Sequence, residues 1–153
     1  MAISEPLPTG RALYTLQLNP RFRFALYSAF SALVSTGAAW LVVDGLKDAS
    51  SGDLWQVIAA NLLMLHGGAA MVTLMLLGAL VPLHISHAWR TKRNRITGTA
   101  MVTFNAVLIA TAFGLYYCGS DALRPWISNV HIDAGLSLPI LFLVHIFIGK
   151  RSS

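Results

Sequence analysis

WISNVHIDAGLSLPILFLVHIFIG, residues 126–149, is a run of apolar side chains interrupted by one charge, Asp133, and two histidines, His131 and His145. About 20 apolar residues suffice to cross roughly 30 Å of hydrocarbon as a helix. The stretch therefore reads as a membrane span. Its histidines are fourteen residues apart, which in an α-helix is about 21 Å and nearly four turns, so both imidazoles fall on roughly the same face. Ionisable side chains inside a span are costly and are usually kept for function.

The rest of the chain fits a membrane setting. Its 153 residues are 56% hydrophobic and 11% charged, with a mean hydropathy of +0.64. A soluble domain carries about 25% charged residues. Three further stretches reach spanning length: about Phe24–Val43, Leu54–Trp89 and Ile96–Tyr117. The sequence thus predicts an all-α membrane protein, a four-transmembrane-helix bundle over residues 24–150 preceded by an N-terminal cytoplasmic segment, residues 1–23. The second span exceeds what a bilayer requires, and Pro82 is placed to kink it. Pro6, Pro8 and Pro20, with no compact apolar core before the first span, argue against a secretory signal. The single cysteine, Cys118, excludes an intramolecular disulfide and any Cys-based zinc or iron–sulfur site within the chain.

The net charge of +5 is distributed by topology rather than gathered for nucleic acid. Arg11, Arg21, Arg23, Arg90, Lys92, Arg93, Arg95, Lys150 and Arg151 fall on one side of the spans. The opposite loops hold Lys47 and Arg124 together with Asp44, Asp48, Asp53 and Asp121. The positive-inside rule places both termini in the cytoplasm. Trp40, Trp55, Trp89 and Trp126 read as interfacial belt residues.

A weak two-fold repeat runs through the chain. Ser35-Thr36-Gly37-Ala38 is followed by Leu65-His66-Gly67-Gly68 and Leu83-His84. Ala112-Phe113-Gly114-Leu115 is followed by Val130-His131 and Val144-His145. Spans two and four run in the same direction, each with histidines towards both ends. Neutral imidazoles can occupy the two axial positions of a haem. Four matched histidines thus predict two haems, an outer one on His66 and His131 and an inner one on His145 with His84 or His87. Helical phase favours His84, which returns to the His66 face, whereas His87 falls about 60° away. The spacings do not match: His66 to His84 spans about 27 Å of ideal helix, against about 21 Å for His131 to His145.

Supporting residues are less specific. Gly67, Gly68, Gly78, Gly114 and Gly135 can admit a flat ring near backbone, or simply pack helices in lipid. Arg90, Lys92, Arg93 and Arg124 are placed to neutralise propionates. Asp133 can relay a proton or hydrogen-bond a quinol, although an interfacial carboxyl needs neither role.

Thr-Ala-Phe-Gly at 111–114, then Val130-His131-x-x-x-Gly135 and Leu143-Val144-His145, resemble the bacterial cytochrome b561 type and related four-helix di-haem membrane cytochromes b. The resemblance covers residues 24–150. It implies two bis-histidine haems b and electron transfer across the bacterial inner membrane. Quinone and a periplasmic or membrane-bound redox partner are further implied; the spacing of the residues supplies the expected ligands His66, His84, His131 and His145, with His87 as the alternative to His84, and support from Arg90, Gly67 and Gly135. The chain departs from that family in lacking a histidine early in span one, where Arg21-Phe22-Arg23-Phe24 stands. Competing readings are a haem-free membrane anchor for a redox complex, a stand-alone superoxide:quinone-type oxidoreductase, and a small metal or proton transporter.

Overall fold

The structure is a computed structural model that describes residues 19–47, 53–82 and 95–151. Four helices make up almost all of it: α1 (Pro20–Gly45), α2 (Leu54–Leu80), α3 (Arg95–Tyr117) and α4 (Arg124–Arg151). Each is long and apolar enough to cross a membrane. The chain is thus a multi-pass, all-helical protein of membrane-spanning character, and no strand occurs among the described residues.

Local chemistry sets the helix ends. Asn19 caps α1, its side-chain oxygen accepting from the Arg21 backbone N–H at 3.0 Å, with Pro20 in the first turn. Proline suits that position because its missing N–H would be unpartnered there anyway. The α-helical part of α2 stops at Leu80, and residues 81 and 82 form a widened π turn. The kink expected at Pro82 falls at the edge of the described residues. The expected continuation of span two to Trp89 lies outside the described residues, as do most of the N-terminal segment and the candidates His84, His87 and Arg90.

The four helices form two antiparallel hairpins, α1 against α2 and α3 against α4. In the second hairpin, a β-carbon added at Gly114 would lie 3.2 Å from the Ile127 side chain. This glycine therefore lets α3 and α4 close on each other; helix packing accounts for it. The hairpins meet through α1 and α4, where Phe142 packs on Phe30 at 4.9 Å and on Tyr27 at 6.0 Å between ring centres. Polar side chains within the helices turn back to their own backbone, as a solvent without hydrogen bonds demands. Thr73 donates to the Ala69 carbonyl at 2.8 Å and Asn105 to that of Met101 at 2.8 Å.

Candidate haem site

His66 of α2 and His131 of α4 come from different hairpins, yet their rings approach each other edge-on between the hairpins. Their centroids are 6.5 Å apart and their planes are inclined at 80°. The mismatch in spacing does not keep this outer pair apart. His66 lies twelve residues into α2 and His131 seven into α4, so α2 is displaced along the bundle by about 8 Å relative to α4.

Each ring is held by the other helix of its own hairpin, and in the same way. The Nδ1 of His66 lies 3.0 Å from the Leu33 carbonyl and 3.2 Å from Thr36 Oγ1. The carbonyl can only accept, so Nδ1 carries the proton. The Thr36 hydroxyl is already donating to the Ala32 carbonyl at 2.7 Å, which leaves its oxygen to accept as well. His131 repeats the pattern on α3. Its Nδ1 lies 2.8 Å from Thr111 Oγ1, Thr111 donates to the Val107 carbonyl at 2.7 Å, and His131 also hydrogen-bonds the Leu108 backbone. In both rings the lone pair is thereby assigned to Nε2. A neutral imidazole with Nδ1–H anchored to a fixed acceptor is oriented and made more basic for metal ligation.

The third histidine has a threonine too. His145 Nδ1 lies 2.9 Å from Thr97 Oγ1. Thr97 and Thr111 are fourteen residues apart, as are His131 and His145, so the antiparallel hairpin brings both pairs into register. Sequence reading missed these threonines and aligned the internal repeat two residues away, matching Gly37 to Gly114. The structural equivalence is Thr36 with Thr111. The equal fourteen-residue spacing on spans three and four was the available signal.

Gly37 was passed over as a site residue for the same reason. A β-carbon at this position would lie 3.0 Å from Cε1 and 3.2 Å from Nδ1 of His66. Here the absence of a side chain makes room for the imidazole. The glycines expected to line a cofactor behave differently. Added β-carbons at Gly67 and Gly135 would make ordinary contacts at 3.8 Å, with Tyr116 Oη and Leu108 Cδ2, while those at Gly68 and Gly78 would meet nothing within 4 Å.

At the inner level the two parallel helices differ. Fourteen residues on from His66 is Leu80, which is buried, at the height where α4 carries His145. His84 is one further turn along the sequence.

The donor set fits a planar macrocycle better than a bare metal ion. Among the described residues no group of three or more His, Cys, Asp or Glu side chains is gathered, whereas a structural or catalytic zinc takes three or four protein ligands. Two imidazoles leave the equatorial positions to the cofactor. Two metal–nitrogen bonds of about 2.0–2.1 Å, with the ring radius added on each side, put opposed imidazole centroids a little over 6 Å apart. The observed 6.5 Å is close to this. One buried donor is also left over. Among the described residues the Trp40 indole N–H has no hydrogen-bond partner, and Trp40 lies one turn from Thr36 towards the Gly45 end of α1. A buried indole N–H normally finds an acceptor, and a haem carboxylate is one.

Compared with protein-family models, curated proteins and solved structures, the chain matches none.

Proposed function

We propose that this protein is a b-type membrane cytochrome whose outer haem is held by His66 and His131, and that it carries electrons across the membrane. The carrying observation is the pair of neighbouring imidazoles from two hairpins, 6.5 Å apart, each with its Nδ1 side engaged by the neighbouring helix. Haem supplies reversible one-electron chemistry when bound. The protein's part would be to hold the His66 and His131 rings with Nδ1 protonated and Nε2 free to ligate, with Gly37 leaving room for the His66 ring. Trp40 supplies a donor at the outer end. His145, set by Thr97, is the chain's described contribution to an inner haem, whose second ligand is sought in His84 or His87.

Quinone exchange, a partner redox protein and residence in a bacterial inner membrane rest on the resemblance to di-haem cytochromes b. Cytoplasmic placement of both termini rests on the distribution of basic residues. The primary test is spectroscopic. Protein purified from haem-replete cells is expected to show a b-type α band on reduction and a haemochrome stoichiometry of one to two haems per chain. A colourless preparation would overturn the reading in favour of a haem-free anchor.

The threonines provide a second test. Thr111→Val preserves shape but removes the hydroxyl that accepts from His131. Loss of such an outer hydrogen bond typically weakens metal affinity or activity by 10–100-fold. Haem retention during detergent exchange is expected to fall on that scale, and the midpoint potential to shift. Unchanged retention and potential would remove Thr111 from this role.

A further inference from the structure

The face of α1 that holds His66 continues past it. Leu33, Thr36 and Gly37 set the imidazole. Trp40 and Asp44 follow at helical spacing, all five within about 100° around the helix. Trp40 lies about 6 Å and Asp44 about 12 Å beyond Thr36 towards the Gly45 end. Lys47 stands just past that end and folds back. Its backbone N–H donates to the Asp44 carbonyl at 3.3 Å and its ammonium to the Asp44 carboxylate at 2.7 Å. The ammonium also lies 6.0 Å from the centre of the Trp40 ring.

These groups run from a buried donor to an exposed cation. The Trp40 Nε1 is buried and, among the described residues, has no acceptor. A buried donor without a partner costs free energy that a ligand bringing an acceptor recovers. The Lys47–Asp44 pair is well exposed, at 35% and 45% of the two side chains. An exposed pair of this kind contributes little, so Lys47 can change partner at small cost. Its four-carbon stem is flexible and can lie along apolar surface with the ammonium at the rim. In sequence Lys47 reads only as the one base of an acidic loop, from Asp44 to Asp53. Its two hydrogen bonds to Asp44 are what turn it back over Trp40.

We infer that Trp40 and Lys47 form a carboxylate subsite of the outer site: the indole N–H donates to an ionised carboxyl group of the ring held by His66, and the Lys47 ammonium leaves Asp44 to pair with it. The inference rests on the cytochrome reading and adds a selectivity to it. This end of the site takes a macrocycle with free acid side arms and discriminates against a neutral one. An indole N–H bonds any acceptor, whereas the ammonium adds the requirement for negative charge. A neutral ester leaves Lys47 with Asp44 and gives Trp40 a weaker acceptor. Asp44 is thus the competitor that holds the ammonium until a carboxylate arrives. A lipid phosphate can meet Lys47 at the rim, but the buried indole nitrogen is open only to a group already seated between the hairpins.

The test uses full-length protein purified in detergent from haem-deficient cells and titrated with haemin and with haemin dimethyl ester, binding being followed by absorbance. The wild type is expected to bind the free acid about ten- to hundredfold more tightly than the ester. High salt is expected to narrow that gap, because Lys47 is exposed. Lys47→Met and Trp40→Phe are each expected to shrink the preference by about tenfold while the ester's affinity stays the same, which separates loss of the subsite from general destabilisation. Asp44→Asn, which frees the ammonium, is expected to tighten haemin severalfold. Lys47→Met is also expected to lower the midpoint potential, since a cation lost from the ring's edge no longer opposes the ferric charge. Equal affinities for acid and ester, variants that weaken both alike, or a Lys47 effect seen only when anionic phospholipid is added would overturn the inference. A protein that binds neither form would overturn the cytochrome reading itself. One that binds both equally, with a bis-imidazole spectrum, would overturn this subsite alone.

Discussion

His131→Ala is expected to abolish the bis-imidazole absorbance of the outer haem and to reduce its retention to background. The effect is large because the site has two protein ligands and no third donor nearby among the described residues. One imidazole leaves an axial position open, and a centre released from one helix no longer bridges the hairpins. The fold itself should survive. His131 is half-buried, and its removal leaves Thr111 with its own helix carbonyl at 2.7 Å as a hydrogen-bond partner. Circular dichroism should therefore remain helical while the visible spectrum is lost. Added imidazole should restore part of the absorbance by entering the space vacated. His145→Ala, about 21 Å away along α4, should leave the outer spectrum intact. Loss of the outer centre in His145→Ala but not in His131→Ala would reverse the assignment.

Gly37→Leu is expected to have nearly the same spectroscopic consequence without touching a ligand. The first added carbon alone would lie 3.0 Å from the His66 ring, closer than ordinary van der Waals contact. An alanine requires the ring to give by a few tenths of an ångström. A leucine requires the imidazole to leave its place between Leu33 and Thr36. Overpacking of this kind typically costs about 1–3 kcal/mol, and here the part free to move is the ligand. Haem content should fall in the order glycine, alanine, leucine. An equivalent series at Gly68, where an added carbon meets nothing within 4 Å, should be flat. Equal sensitivity at the two positions would show that the loss reflects general helix destabilisation.

These two positions illustrate what was legible in the sequence. The spans were legible because hydrocarbon length imposes about 20 apolar residues, and the described helices begin and end within a few residues of the expected limits, apart from the far end of span two. The histidines stood out because imidazoles are rare in such segments. What could not be read was the partner of each ring. Thr36, Thr97 and Thr111 resemble any other threonine until the register of each hairpin is known, since threonine commonly bonds its own helix in lipid. Gly37 was hidden for a related reason. A glycine in a membrane helix has many uses, and only the neighbour's position distinguishes room for a ligand from close helix packing, which is what Gly114 provides. The level at which α2 meets α4 was legible, because His66 and His131 were paired from the sequence and their rings come within 6.5 Å of each other.

The division of the bundle into two hairpins has a consequence for how the protein matures. Each hairpin brings one imidazole already set by its own threonine and carbonyl, so each is a half-site complete in itself. Among the described residues the direct joint between them includes Phe142 against Tyr27 and Phe30. A group bound by both rings stabilises the joined state in proportion to how strongly it prefers that state to the separated one. On the proposed reading, loss of the group held by both rings would loosen one hairpin from the other while leaving each hairpin's own threonine and carbonyl contacts in place.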